Sequence, residues 1–83
     1  MTMRRERIFE ELRALLRREL NWEGDLRPDQ RLVEDLGLDS LRLLTLAVTV
    51  ENHFEISLDP QDEADLRTVS DLLEVIERKR AAR

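Results

Sequence analysis

The chain has no cysteine, which excludes a disulfide staple, a thiolate nucleophile and any Cys-based metal site. Glycine and proline are scarce, two of each, at Gly24, Gly37, Pro28 and Pro60. The long stretches between them hold no helix breaker, and that favours an all-α chain. The most apolar run, Leu43 to Val50, is too short to cross a bilayer and is interrupted by Thr45 and Thr49. The first turns of sequence interleave Arg with Glu6, Glu10, Glu11 and Glu19, a pattern unlike a signal peptide or an acid-poor transit peptide. A soluble, cytoplasmic protein is expected. Its 83 residues make one domain, 1–83, whose core is small enough that every apolar face must be used.

A net charge of −5 conceals an uneven distribution. Residues 1–20 carry six Arg and four Glu, whereas residues 21–77 carry four Arg against fifteen Asp and Glu. Arg78, Lys79, Arg80 and Arg83 form a basic C-terminal tail, about 78–83, with no aromatic residue beside them. Such a tail is a solvated end that suits a helix C-terminal dipole, not a nucleic-acid site. The acidic middle favours cationic partners.

Apolar periodicity places three main helices and one short one. Ile8, Leu12, Leu15, Leu16 and Leu20 recur at helical spacing, predicting a helix from about Met3 to Leu20 that Asn21 and Gly24 stop. A long connection follows to Asp39, in which Leu26, Leu32, Val33 and Leu36 are expected to tuck against the bundle and Trp22 to plug the loop onto the core. Asp39 is a good N-cap for a second helix from Ser40 to about Asn52 or His53. His53 would complete its C-terminal end. Phe54, Ile56 and Leu58 alternate with polar residues in an extended link ended by Pro60, and a helical turn is expected over Gln61 to Leu66. Thr68 and Asp71 form a capping-box pattern for a last helix whose buried stripe is Val69, Leu72, Leu73 and Ile76. The fold expected is a small all-α bundle.

The second helix carries the functional signal. Seven of the ten residues from Leu41 to Val50 are apolar, so it should lie centrally, with Leu41, Leu44 and Val48 on one face and Leu44 and Val48 in the core. Arg42, Thr45, Thr49 and Asn52 stand in one line down the helix, with Ser40 at its head. A hydroxyl there faces unpaired backbone N–H groups and the positive end of the helix dipole, a favourable place for an attached phosphate. Gly37 lets the chain turn tightly into the helix. Catalysis by Ser40 is disfavoured, because the only histidine, His53, lies thirteen residues further along the same helix, roughly 20 Å away at the helical rise. With no glycine-rich loop either, the chain lacks the parts of an enzyme site. A non-catalytic helical adaptor and an esterase-like enzyme are the readings from other classes.

The run "LVEDLGLDSLRLLTL" resembles the attachment segment of the acyl carrier proteins, with Asp-Ser-Leu opening the second helix after a Leu-Gly turn, and "TVSDLLEVI" resembles their final helix. The likeness extends over roughly residues 5 to 78. It implies that Ser40 takes a 4′-phosphopantetheine arm from coenzyme A, that the arm's thiol holds an acyl group as a thioester, and that Asp39 helps the modifying transferase hold its Mg²⁺. Leu41, Arg42, Thr45, Thr49 and Asn52 would form the partner-docking face, and Leu44 and Val48 would flank a pocket for the acyl chain. The implied partners are a phosphopantetheinyl transferase, acyl-activating or acyl-transferring enzymes, and ketosynthase or condensation-type enzymes, acting on a monomer. Carriers of primary fatty acid synthesis usually show carboxylates two and five residues after the modified serine. Here those positions are Arg42 and Thr45, and only Glu51 and Glu55 keep an acidic character. That departure points to a specialised polyketide, lipopeptide or related pathway, the alternatives being housekeeping fatty acid synthesis and an aminoacyl or peptidyl carrier.

Overall fold

The structure, a computed structural model, describes residues 2–81 and the side chains of residues 5–81. Four helices follow one another: α1 (Thr2–Leu20), α2 (Ser40–Phe54), α3 (Pro60–Ala64) and α4 (Val69–Ala81). The fold is all-α as expected, and the only bridge among the described residues joins Arg31 to Thr68. None of the described helices is long and apolar enough to cross a membrane.

α1 is the spine, packing against both α2 and α4. Its Ile8, Leu12, Leu15 and Leu16 are buried against Leu46, Val50 and Phe54 of α2 and Val69, Leu72, Leu73 and Ile76 of α4 in one continuous core. Asn21, in the left-handed region at φ 55°, turns the chain out of α1. Trp22 is partly buried against the core, as its plugging role requires. Helix ends fall within a residue or two of expectation. α2 runs one residue further, so Phe54 is its buried last residue and not the start of the extended link. Glu55 ends it in a left-handed conformation, with the amides of Glu55 and Ile56 both returning to the Glu51 carbonyl. Pro60 opens α3, where its missing N–H costs nothing.

The long connection from Trp22 to Asp39 is ordered by more than apolar tucking. Leu26, Leu32 and Leu36 are buried as expected, but Val33 is 52 % exposed. Buried Gln30 takes the Arg27 amide at 2.7 Å and gives its own amide to the Asp25 carbonyl at 3.2 Å, so one side chain closes the loop on itself. The first amides of α4, which no helical carbonyl can satisfy, donate to that loop: Val69 to the Gln30 carbonyl and Ser70 to the Pro28 carbonyl. The loop therefore caps the last helix. Thr68 and Asp71 add the reciprocal box, with the Asp71 amide on Thr68 Oγ1 at 3.1 Å and the Thr68 amide on Asp71 Oδ2 at 3.0 Å.

The basic residues Arg78, Lys79 and Arg80 end α4, where they suit the helix dipole, and they also make tertiary contacts that the sequence did not show. α4 continues through Ala81, and its last turn faces the acidic α3. Arg78 Nη2 lies 2.8 Å from Asp62 Oδ1 and Lys79 Nζ 2.9 Å from Asp62 Oδ2, while the Arg80 guanidinium sits over the Phe54 ring. Arg83 lies outside the described residues. Asp62 is only 8 % exposed at its side chain. It also closes a capping box with Asp59. The hydrogen bond from Lys79, more than the opposing effect of burial, holds its carboxyl below the ordinary carboxylate range, with the Asp59 amide and the Arg78 charge adding to it.

A carboxylate whose folded pKa is depressed contributes stability that is fully present above its unfolded value and is lost as pH falls through the folded value. Asp62→Asn is therefore expected to cost about 1.5–3 kcal/mol at neutral pH, the range for losing hydrogen bonds to charged groups. Denaturant melts should show the two proteins converging as pH falls below the ordinary carboxylate range, where the wild-type carboxyl protonates. A gap that persisted in acid would place the loss elsewhere.

Candidate functional site

The chain enters α2 through a tight turn. Residues 32–36 coil through consecutive turns, with the Asp35 carboxylate accepting the Arg31 amide at 2.7 Å. Gly37 follows at φ 71°. A Cβ there would meet nothing within 4 Å, so it is the backbone conformation, not lack of space, that favours glycine. Buried Leu38 then pins the chain, and Asp39 caps α2 by accepting the Arg42 amide at 2.9 Å.

Ser40 is the first residue of α2 and is exposed. The Asp39 cap takes the third amide of the helix, which leaves the amides of Ser40 and Leu41 at the open, positive end beside the hydroxyl. A cavity of about 330 Å³ opens at the same place, lined by Ser40 with Leu32, Leu43, Ala47, Leu66 and Leu72, and with Glu63 as its one charged wall. An exposed primary hydroxyl thus stands at the mouth of a mostly apolar hollow between α2, α3 and α4. His53 lies at the other end of α2, where its Nε2 is 2.9 Å from Glu11 Oε1 and ties α2 to α1. It is neither a partner for Ser40 nor only a helix-end residue.

α2 is amphipathic in an unexpected sense. Leu46, Ala47, Val50 and Phe54 are buried, but Leu41 is 71 %, Leu44 57 % and Val48 45 % exposed. The core assignment of Leu44 and Val48 is thus corrected: a helix apolar on two faces can bury only the one that meets α1. As pocket candidates the pair divides, since Leu44 lines the cavity beside Ser40 and Val48 does not. The expected docking residues share the outer face: Leu41, Arg42, Thr45 and Asn52 are exposed and Thr49 is half-buried. Thr45 gives its hydroxyl to the Leu41 carbonyl at 3.0 Å, so its polar group is used within the helix. Glu51 is drawn inward, its Oε2 taking the Leu58 amide at 2.8 Å. Glu63 and Leu66 in the cavity wall, and Asp62 behind them, gave no local signal in the sequence, because their roles arise only where α3 meets α2 and α4.

A short helical bundle with an exposed hydroxyl heading its second helix and an apolar hollow beneath it is the arrangement of a carrier domain. The chain belongs to the family defined by a phosphopantetheine attachment site, whose model matches residues 10–76. It is 37 % identical over 76 residues to an acyl carrier protein of Coprothermobacter proteolyticus, an alignment covering 90 % of this chain and 93 % of that one. Against an acyl carrier protein of Thermotoga maritima it is 33 % identical over 76 residues, covering 90 % and 94 %. A crystal structure of an acyl carrier protein from Thermotoga maritima superposes with a TM-score of 0.87 over 96 % of this chain and 94 % of that one, at 18 % identity, a likeness of fold. Acyl carrier proteins are carriers, not catalysts, and membership implies a covalently attached 4′-phosphopantetheine. When attached, that group supplies the thiol which the cysteine-free chain lacks.

Leu44→Ala is expected to cost under about 1 kcal/mol, as at other largely exposed positions. Leu72→Ala, in the core, should cost about 2–5 kcal/mol. Urea melts of the two variants side by side check the assignment, and equal losses would return Leu44 to the core.

Proposed function

We propose that residues 1–83 act as one carrier domain in which Ser40 bears the 4′-phosphopantetheine arm, and that this acyl carrier serves a specialised polyketide, lipopeptide or related pathway. The attachment reading is supported by Ser40 being the exposed hydroxyl at the open end of α2, beside an apolar cavity that suits the carried group. Asp39 caps the helix that presents Ser40 and directly precedes it in the chain, which suits the part of helping the transferase hold its Mg²⁺. The cavity would shelter an acyl chain, with Leu44 at its rim and Leu72 in its floor.

The observation that carries the pathway reading is the outer face of α2. No acidic residue lies in its first turn, Arg42 and Thr45 occupy the positions where primary fatty acid carriers show carboxylates, and Glu51 is held by the Leu58 amide. An enzyme whose Lys and Arg evolved to meet a carboxylate would meet the Arg42 guanidinium instead. Like-charge juxtaposition penalises the wrong complex more than it weakens the right one. The face that remains, Leu41, Leu44 and Val48 with Thr45 and Thr49 between them, favours partners that dock by apolar contact. Phosphopantetheinyl transferase, acyl-loading enzymes and ketosynthase or condensation-type enzymes are the partner classes that follow.

Intact mass after incubation with coenzyme A and a promiscuous phosphopantetheinyl transferase should show one arm added to the wild type and none to Ser40→Ala. Modification of that variant would move the site to Ser57 or Ser70. For the pathway, the pantetheinylated protein is expected to be a poor substrate for ketosynthases and transacylases of primary fatty acid synthesis, and Arg42→Glu with Thr45→Glu to improve transfer by about tenfold, the scale of one exposed to partly desolvated charge contact at each position. Transfer rates equal to those of a housekeeping carrier, or no gain in the double variant, would leave the fatty acid reading in its place.

A further inference from the structure

α3 is a cavity wall without a hydrophobic anchor. Of its residues Pro60, Gln61, Asp62, Glu63 and Ala64, only Asp62 is buried. A helix of one turn has no stability of its own and must be held by its surroundings. An apolar stripe usually does this, but here the inward-facing side chain is a carboxylate gripped by two cations from the last turn of α4, Arg78 at 2.8 Å and Lys79 at 2.9 Å. Lys79 also stands 3.9 Å from Asp59, the cap of the same short helix. On the cavity side, Glu63 of α3 and Leu66 just beyond it line the hollow that contains Ser40. The ionic clamp and the wall of the cavity are therefore one element.

We propose that Asp62 is a positioning residue for the carried group: by tying α3 to Arg78 and Lys79 it holds the cavity wall closed over an acyl chain and so keeps the thioester of a long chain from water. The proposal rests on reading the cavity as the cargo site. Lifting α3 away would expose no buried apolar side chain among its own five residues, so the clamp adds to the hold that the flanking Leu58 and Leu66 have on the core. Removing the two cations leaves the Asp62 carboxylate, only 8 % exposed at its side chain, without its compensating bonds, which makes the clamp sensitive to substitution at Arg78 and Lys79. A wall held in this way can also be released by a partner that offers competing charges to Lys79 or Asp62, without the bundle coming apart.

The test uses pantetheinylated protein loaded with either an acetyl or an octanoyl group, with thioester cleavage by hydroxylamine followed by intact mass. In the wild type the octanoyl thioester should be cleaved several-fold more slowly than the acetyl, which is too short to be sheltered. Asp62→Asn, and separately Arg78→Met with Lys79→Met, should raise the octanoyl rate several-fold and bring it to the acetyl rate. Lys79→Arg, which keeps the charge, should retain the protection. A merely structural loss would move both thioesters together. Protection that survives both sets of substitutions would overturn the clamp alone. An octanoyl thioester cleaved as fast as the acetyl in the wild type would overturn the cargo reading of the cavity, and the clamp with it.

Discussion

The packing of α2 against α1 is the contact on which the other features depend. Leu46, Ala47, Val50 and Phe54 enter the core beside Leu12, Leu15 and Leu16, and their burial fixes the rotation of α2 about its own axis. Once that rotation is fixed, everything else on the helix is placed. Leu41, Leu44 and Val48 must face out, Ser40 must stand at the exposed head, and Leu43 and Ala47 must border the hollow towards α3 and α4. A chain of this size has few apolar residues to spare. Leaving three large aliphatic side chains of its second helix exposed lowers its stability, and a surface that meets other proteins is the usual reason for such a row.

The division between what the sequence disclosed and what it concealed follows the range of the interactions. Caps and turns are local: Asp39, the Thr68 and Asp71 pair, the left-handed Gly37 and the entry at Pro60 could all be inferred from neighbours in the chain, and each is present. The single-faced stripes of α1 and α4 were equally legible, because a helix with one apolar face offers one way to be buried. α2 has two such faces, and periodicity does not say which meets α1. Leu44 and Val48 were misassigned for that reason. Val33 failed differently: in a turn there is no period to consult, and the neighbouring Leu32 takes the inward position. Gln30, Asp62 and the amides of Val69 and Ser70 depend on partners that only the tertiary fold supplies.

Charge shows the same contrast. The acidic middle and the basic end of the chain were visible as a composition, but their meeting was not. Arg78 and Lys79 neutralise α3 from sixteen or seventeen positions away, and Arg80 covers Phe54, so the basic segment serves the bundle before it could serve a partner. The acidic surplus is consequently not spread over the site. At Ser40 itself, Asp39 is committed to a cap and Glu63 stands in the cavity wall. The net charge of the whole protein is thus a poor guide to the potential that a partner meets at α2.

That local potential bears on how a docking partner would discriminate. Long-range steering needs an uncompensated row of one sign, whereas the outer face of α2 offers a single guanidinium flanked by aliphatic and threonine side chains. Thr45, with its hydroxyl turned back to the Leu41 carbonyl, adds to the apolar character of the strip and not to its hydrogen-bonding capacity. Recognition on such a face depends on close fit around Leu41 and Leu44, where a partner gains by excluding water from side chains that the free protein leaves wet. Because Leu44 also lines the cavity, the same side chain belongs to both the proposed docking face and the proposed cargo wall. A partner that displaced it on binding would alter the rim of the cavity, and this gives docking a direct physical route to the carried group without any change in the core packing of α2 against α1.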